Sequence, residues 1–185
     1  YTRVRVWNFD DGCGNVSANY TQTITVEDNT APVINEAPGA LDATLDCDDA
    51  TGLGDALALV PTATDDCGTV NINVVSDDET ADPNCPNGYT RVRVWNFDDG
   101  CGNVSASYTQ TITVEDNTAP VINEAPGALD ATVNCGEPAD LAAALTLVPT
   151  ATDNCATPNI NVVSDNTTPD ANCPNGYTRV RTWNF

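Results

Sequence analysis

The sequence predicts an all-β protein built from tandem β-sandwich domains with an 88-residue repeat. Three observations carry this. Tyr1, Tyr89 and Tyr177 are each 88 residues apart, as are Cys13 and Cys101, or Cys47 and Cys135, and 78 of the 97 positions that overlap at this shift are identical. Short runs alternate apolar and polar residues with a period of two, between clusters of Gly, Pro, Asn and Asp. Each period also carries four cysteines, none of them in a C-x-x-C pair.

A period of 88 residues is too long for a solenoid unit and suits a small domain with its own core, so the array reads as beads on a string. Most differences between copies fall in one patch, LDCDDATGLGDALA at 45–58 against VNCGEPADLAAALT at 133–146, which reads as a surface loop. The boundary is placed at TVEDNTAPVI (25–34 and 113–122), where a β-rich run stops at acidic residues and a proline restarts the chain. Residues 1–29 are then the C-terminal part of one repeat, 30–117 a complete repeat, and 118–185 a repeat lacking its last strand.

In chain order, VSANYTQTITV (16–26) places Val16, Ala18, Tyr20, Ile24 and Val26 on one face, with Gln22 as the exception, and Ser17, Asn19, Thr21, Thr23 and Thr25 on the other. This is a half-buried strand. Similar runs in the complete repeat are Leu41–Cys47, Leu57–Thr64, Val70–Ser76, Tyr89–Phe97 and Val104–Val114. Many short strands with frequent turns make a sandwich. In GEPADLAAALTLV (136–148) the Ala and Leu content and Pro138 near an N1 position allow a short helix instead. YTRVRVWNF (89–97) has Tyr89, Arg91, Arg93, Trp95 and Phe97 on one face and Thr90, Val92, Val94 and Asn96 on the other. Either the valines face the core and an Arg and aromatic ladder is exposed to a partner, or Trp95 and Phe97 are core and the arginines pair with acids near an edge. The second reading is preferred.

Six arginines, no lysine and no histidine stand against 27 acidic residues, a net charge of −21. The complete repeat alone holds sixteen acids and two arginines. Such a surface repels nucleic acid and is either simply solvated or suited to divalent cations. With 41% hydrophobic residues and regular strands, the chain has the material for a core and is not a disordered acidic segment. The cysteines lack zinc-knuckle spacing and histidine partners, so disulfides and a secreted location account for them better. No apolar run is long enough to span a bilayer as a helix.

DNTAPVI, PTATDDC, the aromatic strand, and DDGCGNVS followed by TQTITVED occur in that order within the period. Through these motifs the repeat resembles the hyalin-repeat-like, immunoglobulin-like domains of giant cell-surface adhesins of Bacteroidota, including gliding-motility adhesins. It departs from their commonest texture in its second arginine and in the variable patch. The resemblance implies an immunoglobulin-like Greek-key sandwich, a cell-surface or filament location, and export by a type IX system. In the topology it implies, the B–C and F–G loops lie at one end of the sandwich and the A–B and E–F loops at the other. That arrangement pairs Cys67 with Cys101, Cys47 with Cys85, and Cys135 with Cys173. It leaves Cys13 and Cys155 with partners outside the chain or with each other.

The same topology gathers three groups of oxygen donors at a head-to-tail junction: Glu27, Asp28 and Asn29 in the linker, Asp65 and Asp66 in the B–C loop, and Asp98, Asp99 and Asn103 in the F–G loop. Glu115, Asp116 and Asp153 are their counterparts one repeat later. Calcium takes six to eight oxygens from such loops, whereas Asx turns and ordinary solvated loops use the same residues without metal. The linker is similar to the D-N-A-P stretch of cadherin junctions. Asn15, Asn19, Asn103 and Asn166 begin N-x-S/T triplets.

Without His or Lys, and with its cysteines committed to disulfides, the chain lacks most nucleophile and general-base constellations, and no catalytic residue is assigned. The reading is a structural region of an extracellular adhesin stalk or filament, an excerpt of a longer array. Its partners are neighbouring repeats and other copies in a filament. Two alternatives remain open. One is a module that grips a surface polysaccharide or protein through Arg91, Arg93 and Trp95 or the variable patch, with avidity from the array. The other is a protomer whose residues 1–29 complete the sandwich of a neighbour's 118–176.

Overall fold

The computed structural model describes residues 1–185. The first segment is a hairpin, β1 (Thr2–Trp7) and β2 (Tyr20–Thr25), paired antiparallel from Thr2↔Thr25 to Trp7↔Tyr20. The complete repeat follows with β3 (Val33–Ile34), β4 (Ala43–Asp46), α1 (Ala50–Ala58), β5 (Ala63–Thr64), β6 (Asn71–Ala81), β7 (Tyr89–Asp98) and β8 (Tyr108–Glu115). The third repeat contributes β9 (Val121–Ile122), α2 (Pro138–Thr146), β10 (Ala151–Thr152), β11 (Asn161–Pro169) and β12 (Tyr177–Asn184).

The chain is mostly β and is consistent with an immunoglobulin-like sandwich. β3 pairs antiparallel with β5. A four-stranded sheet has the order β4-β8-β7-β6, in which β4 runs parallel to β8 from Ala43↔Ile112 to Asp46↔Glu115. In the third repeat β9 pairs with β10, and β11 pairs with β12 with a register shift between Val162 and Ser164. The segment 131–134, equivalent to β4, is not a strand. β12 is the last strand, and no counterpart of β8 follows it for this segment to pair with.

Two elements differ from the sequence reading. Most of the expected strand Leu57–Thr64 is absent: α1 runs to Ala58 and only Ala63–Thr64 is strand. The variable patch is therefore helical in both copies rather than loop. Pro138 begins α2 as the sequence suggested. α1 begins instead with Asp49, whose Oδ1 accepts the Gly52 amide at 2.8 Å while its carbonyl accepts the Leu53 amide at 3.0 Å. This N-cap offsets the poor helix propensity of two glycines. A Cβ at Gly52 would stand 3.0 Å from Leu45 Cδ2 and closer still to the Asp49 carboxylate, so a larger residue there would displace the side chain that caps the helix. The other difference is Val104, which makes only an isolated bridge to Asp98 before β8 begins.

The chain divides into two compact units. Unit 1 comprises Tyr1–Leu41, Leu59–Asp78 and Val92–Gln110. Its interior holds Trp95, Phe97, Tyr108 and Gln110. Unit 2 comprises Asp42–Ala58, Glu79–Arg91 and Thr111–Phe185. Its core is Ala56, Ile112 and Val114, covered by Ala43, Leu45, Leu53, Leu57 and Tyr89.

β8 realises the period-two reading without exception, with Tyr108, Gln110, Ile112 and Val114 all buried. The odd member, Gln110, is 0% exposed and satisfied on both sides: its Nε2 donates to Leu41 O at 2.6 Å and its Oε1 accepts from Arg93 Nη1 at 3.0 Å. Both Trp95 (2% exposed) and Phe97 (3%) are interior, which settles the orientation of YTRVRVWNF. In the first segment the same residue types, Trp7 of β1, Phe9 just after it, and Tyr20 and Ile24 of β2, are exposed, because no other strand of a sandwich covers that hairpin.

Candidate junction site

In unit 1 the linker and two loops converge. Asp99, 4% exposed, organises the β7–β8 loop: Oδ1 accepts the amides of Cys101 (2.7 Å), Gly102 (3.1 Å) and Asn103 (3.0 Å), and Oδ2 accepts Asn103 Nδ2 at 2.6 Å. Asn103 Nδ2 also donates to Asp28 O at 3.0 Å, tying this loop to the linker. Burial works against the Asp99 anion, yet the Asn103 side chain and these amides outweigh it and hold the carboxyl below its ordinary value. Asp65 turns the β5–β6 loop through Oδ1, which accepts the Cys67 amide at 2.9 Å. Ligand atoms of Asp28, Asp99 and Cys101 lie within 4.8 Å of one another. The Asp28 carboxylate, then burial, then Asp65 and Asp66 push the Cys67 thiol up, with Cys101 adding to them.

Unit 2 holds the corresponding residues one repeat later. Asp153 Oδ1 accepts the amides of Cys155 and Ala156, both at 2.9 Å, and Asp116, Asp153 and Cys155 again approach within 4.8 Å. Here the end of the complete repeat arrives as well. Cys47 is bonded to Cys155 in a disulfide spanning 108 residues. Asn154 Nδ2 donates to Asp46 Oδ1 at 3.2 Å, and Asn87 Nδ2 donates to the carbonyl of Cys155.

The expected pairing of Cys47 with Cys85 is therefore corrected: Cys47 reaches into the next repeat. β4 is the cause. It runs parallel to β8, so both strands leave the sheet at the same end, and the Cys47 amide donates to Glu115 O at 3.0 Å, beside the linker. The residue is thus delivered to the loop of the repeat that follows. The expectation that Cys155 finds its partner outside the chain, or in Cys13, falls with it. Cys13, Cys67, Cys85, Cys101, Cys135 and Cys173 carry no disulfide, so neither Cys67–Cys101 nor Cys135–Cys173 is formed.

The remaining site residues separate into groups. Asp28, Asp99 and Asn103 belong to the unit 1 cluster and Asp116 and Asp153 to that of unit 2, while Asp65 holds the β5–β6 loop beside Cys67. Asp98 faces β6, where Asn73 (2.9 Å) and Asn71 (3.1 Å) saturate its carboxylate and lower its pKa. Glu27, Asn29 and Asp66 are exposed, and Glu115 lies at the edge of the unit 2 cluster through its carbonyl. Asn103, within an N-x-S triplet, has its amide committed to Asp99 and Asp28.

Arg93 and Trp95 do not form an exposed ladder. The Arg93 guanidinium lies 4.6 Å from the Trp95 ring centroid and 3.8 Å from Asp77, with its side chain 14% exposed. Its counterpart Arg181 bonds the carbonyls of Ala144, Leu145 and Leu147 at the C-terminal end of α2 while lying 4.7 Å from the Trp183 ring. A cation there satisfies carbonyls that the helix leaves open. Arg91 is half-buried, and its counterpart Arg179 pairs with Asp165 at 2.6 and 2.5 Å. Sequence reasoning missed the helix-capping role of Arg181, since it weighed these arginines only as an exposed ladder or as partners of acids.

The strands, consistent with an immunoglobulin-like sandwich, and the Cys47–Cys155 disulfide between consecutive sequence repeats define a β-rich repeat protein. Residues 35–114 match the family model of the HYR-like domain with four cysteines, so the complete repeat is similar to that family. No curated protein and no solved structure matches the chain. No helix is long and apolar enough to cross a membrane.

Proposed function

We propose that the chain is a structural repeat region of an extracellular adhesin stalk or surface filament, with its beads joined end to end by disulfides. The observation that carries this reading is the Cys47–Cys155 bond, which links residues of consecutive repeats. In a chain-entropy treatment a loop of this length stabilises by roughly 4–5 kcal/mol. No constellation in either unit supplies a nucleophile with a base. The family resemblance adds a Bacteroidota cell surface and type IX export to the proposal. The rival reading, a polysaccharide or protein grip through Arg91, Arg93 and Trp95, is disfavoured by the burial of Trp95; only the helical variable patch is left to serve it.

Calcium belongs to the same proposal as the stiffener of the junction. Asp28 Oδ2, Asp65 Oδ2 and Asp153 Oδ2 are buried with no hydrogen-bond donor. A hard cation supplies what such oxygens lack. Asp28 with Asp65 and Asp99, and Asp116 with Asp153, are the residues to hold it.

Antibodies raised against this chain test the proposal on intact cells. Labelling along extended surface fibres is expected. Labelling confined to the cell interior contradicts it.

A further inference from the structure

The repeat has four cysteine positions, and the disulfide uses only two of them: the first, Cys47, and the second of the next repeat, Cys155. We infer that the other two positions make a second bond across every junction, the third cysteine of one repeat with the fourth cysteine of the repeat that follows. Here the third is Cys85, and the fourth is the position occupied by Cys101 in the complete repeat. The inference rests on the reading of the chain as part of a continuing tandem array.

Two views of one junction, one in each unit, place these positions together. In unit 2 the third position approaches from the preceding repeat. Cys85 sits in the tight β6–β7 turn, where the Gly88 amide donates to Cys85 O at 3.0 Å and the Asp82 amide to Gly88 O at 2.8 Å. Asn87 of this turn donates to the carbonyl of Cys155, the second position of the next repeat. Cys85 is half-buried there and has no sulfur partner. In unit 1 the fourth position is present as Cys101. Cys101 lies within 4.8 Å of Asp28 and Asp99 ligand atoms, near enough to Cys67, the second position of its own repeat, to affect its thiol.

Asp28, Asp65 and Cys67 become Asp116, Asp153 and Cys155 on an 88-residue shift. The second-position cysteine and its two aspartates are therefore common to both views. One view brings the turn that carries the third cysteine to that group through Asn87, and the other sets the fourth cysteine beside it. Within a repeat, Cys85 lies in the turn from β6 to β7 and Cys101 in the turn from β7 to β8, so the ten residues of β7 run between them in the chain. Each bond forms as two thiols give up two protons and two electrons to an external disulfide oxidant, which leaves as a dithiol. Four cysteines per repeat then make two staples per junction and leave none within a repeat.

The test is the chain lengthened after Phe185 by its own segment Asp98–Val114, which completes the third repeat, followed by non-reducing peptide mapping. The expected result is a linked pair holding Cys85 and the added counterpart of Cys101, beside the Cys47–Cys155 pair. In the Cys85→Ser variant the added cysteine is expected to become alkylatable while Cys47–Cys155 persists. Cys85 joined to another cysteine, or recovered as a thiol while Cys47–Cys155 is intact, overturns the inference and leaves the stalk reading standing. Loss of Cys47–Cys155 itself would instead count against the stalk reading.

Discussion

Arg93 Nη1 donates to Gln110 Oε1 at 3.0 Å, joining β7 to β8 through a glutamine that is wholly buried. Gln110 also donates to Leu41 O, so one side chain satisfies a cation and a backbone carbonyl where an aliphatic residue would satisfy neither. Removing it leaves both partners short of a bond, at about 1–3 kcal/mol for an unmet buried group. Gln110→Leu is therefore expected to lower the melting temperature despite its greater hydrophobicity. In an Arg93→Leu background the same change should cost less, and equal costs in both backgrounds in a thermal-melt double-mutant cycle would show the two residues to be uncoupled.

Acid should weaken the fold through identifiable carboxyls. Glu36 is held below its ordinary 4.5 by the Thr62 amide and hydroxyl, Glu124 likewise by Thr150, and Asp98 below 3.8 by Asn73 and Asn71. A carboxyl with a lower pKa folded than unfolded stabilises fully above its unfolded value and loses that contribution as pH falls through its folded value. Melting temperatures should therefore hold down to about pH 5 and decline below pH 4. Asp98→Asn is expected to shallow that decline, and an unchanged acid limb would remove Asp98 from the account.

Calcium and bare carboxylates predict opposite signs at the junction. With the cation bound, chelator lowers the melting temperature of the wild-type chain, and Asp28→Asn with Asp65→Asn abolishes the response. Without it, neutralising these two residues relieves repulsion among buried carboxylates and stabilises. Calorimetry of both proteins in calcium and in chelator separates the cases: an indifferent wild type with a more stable double variant would reject calcium.

Trp95 tests the binding alternative. Its ring is interior and covered by the Arg93 guanidinium, so Trp95→Ala is expected to destabilise by about 3–5 kcal/mol, as large buried aromatics do. Wild-type stability in this variant, read by urea denaturation, would mean that the ring is free for a ligand.

How much was legible in the sequence depends on the range of the interaction. The β8 face could be read from TQTITV because period two is a local property, and even its odd member, Gln110, was visible as an exception. Helix α1 was hidden, since Gly52 and Gly54 argue against a helix and only the Asp49 cap and tertiary cover restore it. Asp28 and Asp99 lie together, within 4.8 Å by their ligand atoms, where the sandwich topology implied by the family resemblance places the linker and the F–G loop. Cysteine partnership did not follow. It depends on the parallel pairing of β4 with β8, which carries Cys47 beyond its own repeat, and strand direction at an edge leaves no mark in residue spacing.

Cys47 and Cys155 join consecutive repeats covalently. A protease site placed in the linker 115–118 tests this most directly, because the cut severs the backbone between the two repeats. On a denaturing gel the cut halves are predicted to stay together without reductant, to part when reduced, and to part without reductant in Cys47→Ser. Halves of the otherwise unaltered chain that separate without reductant would contradict the account.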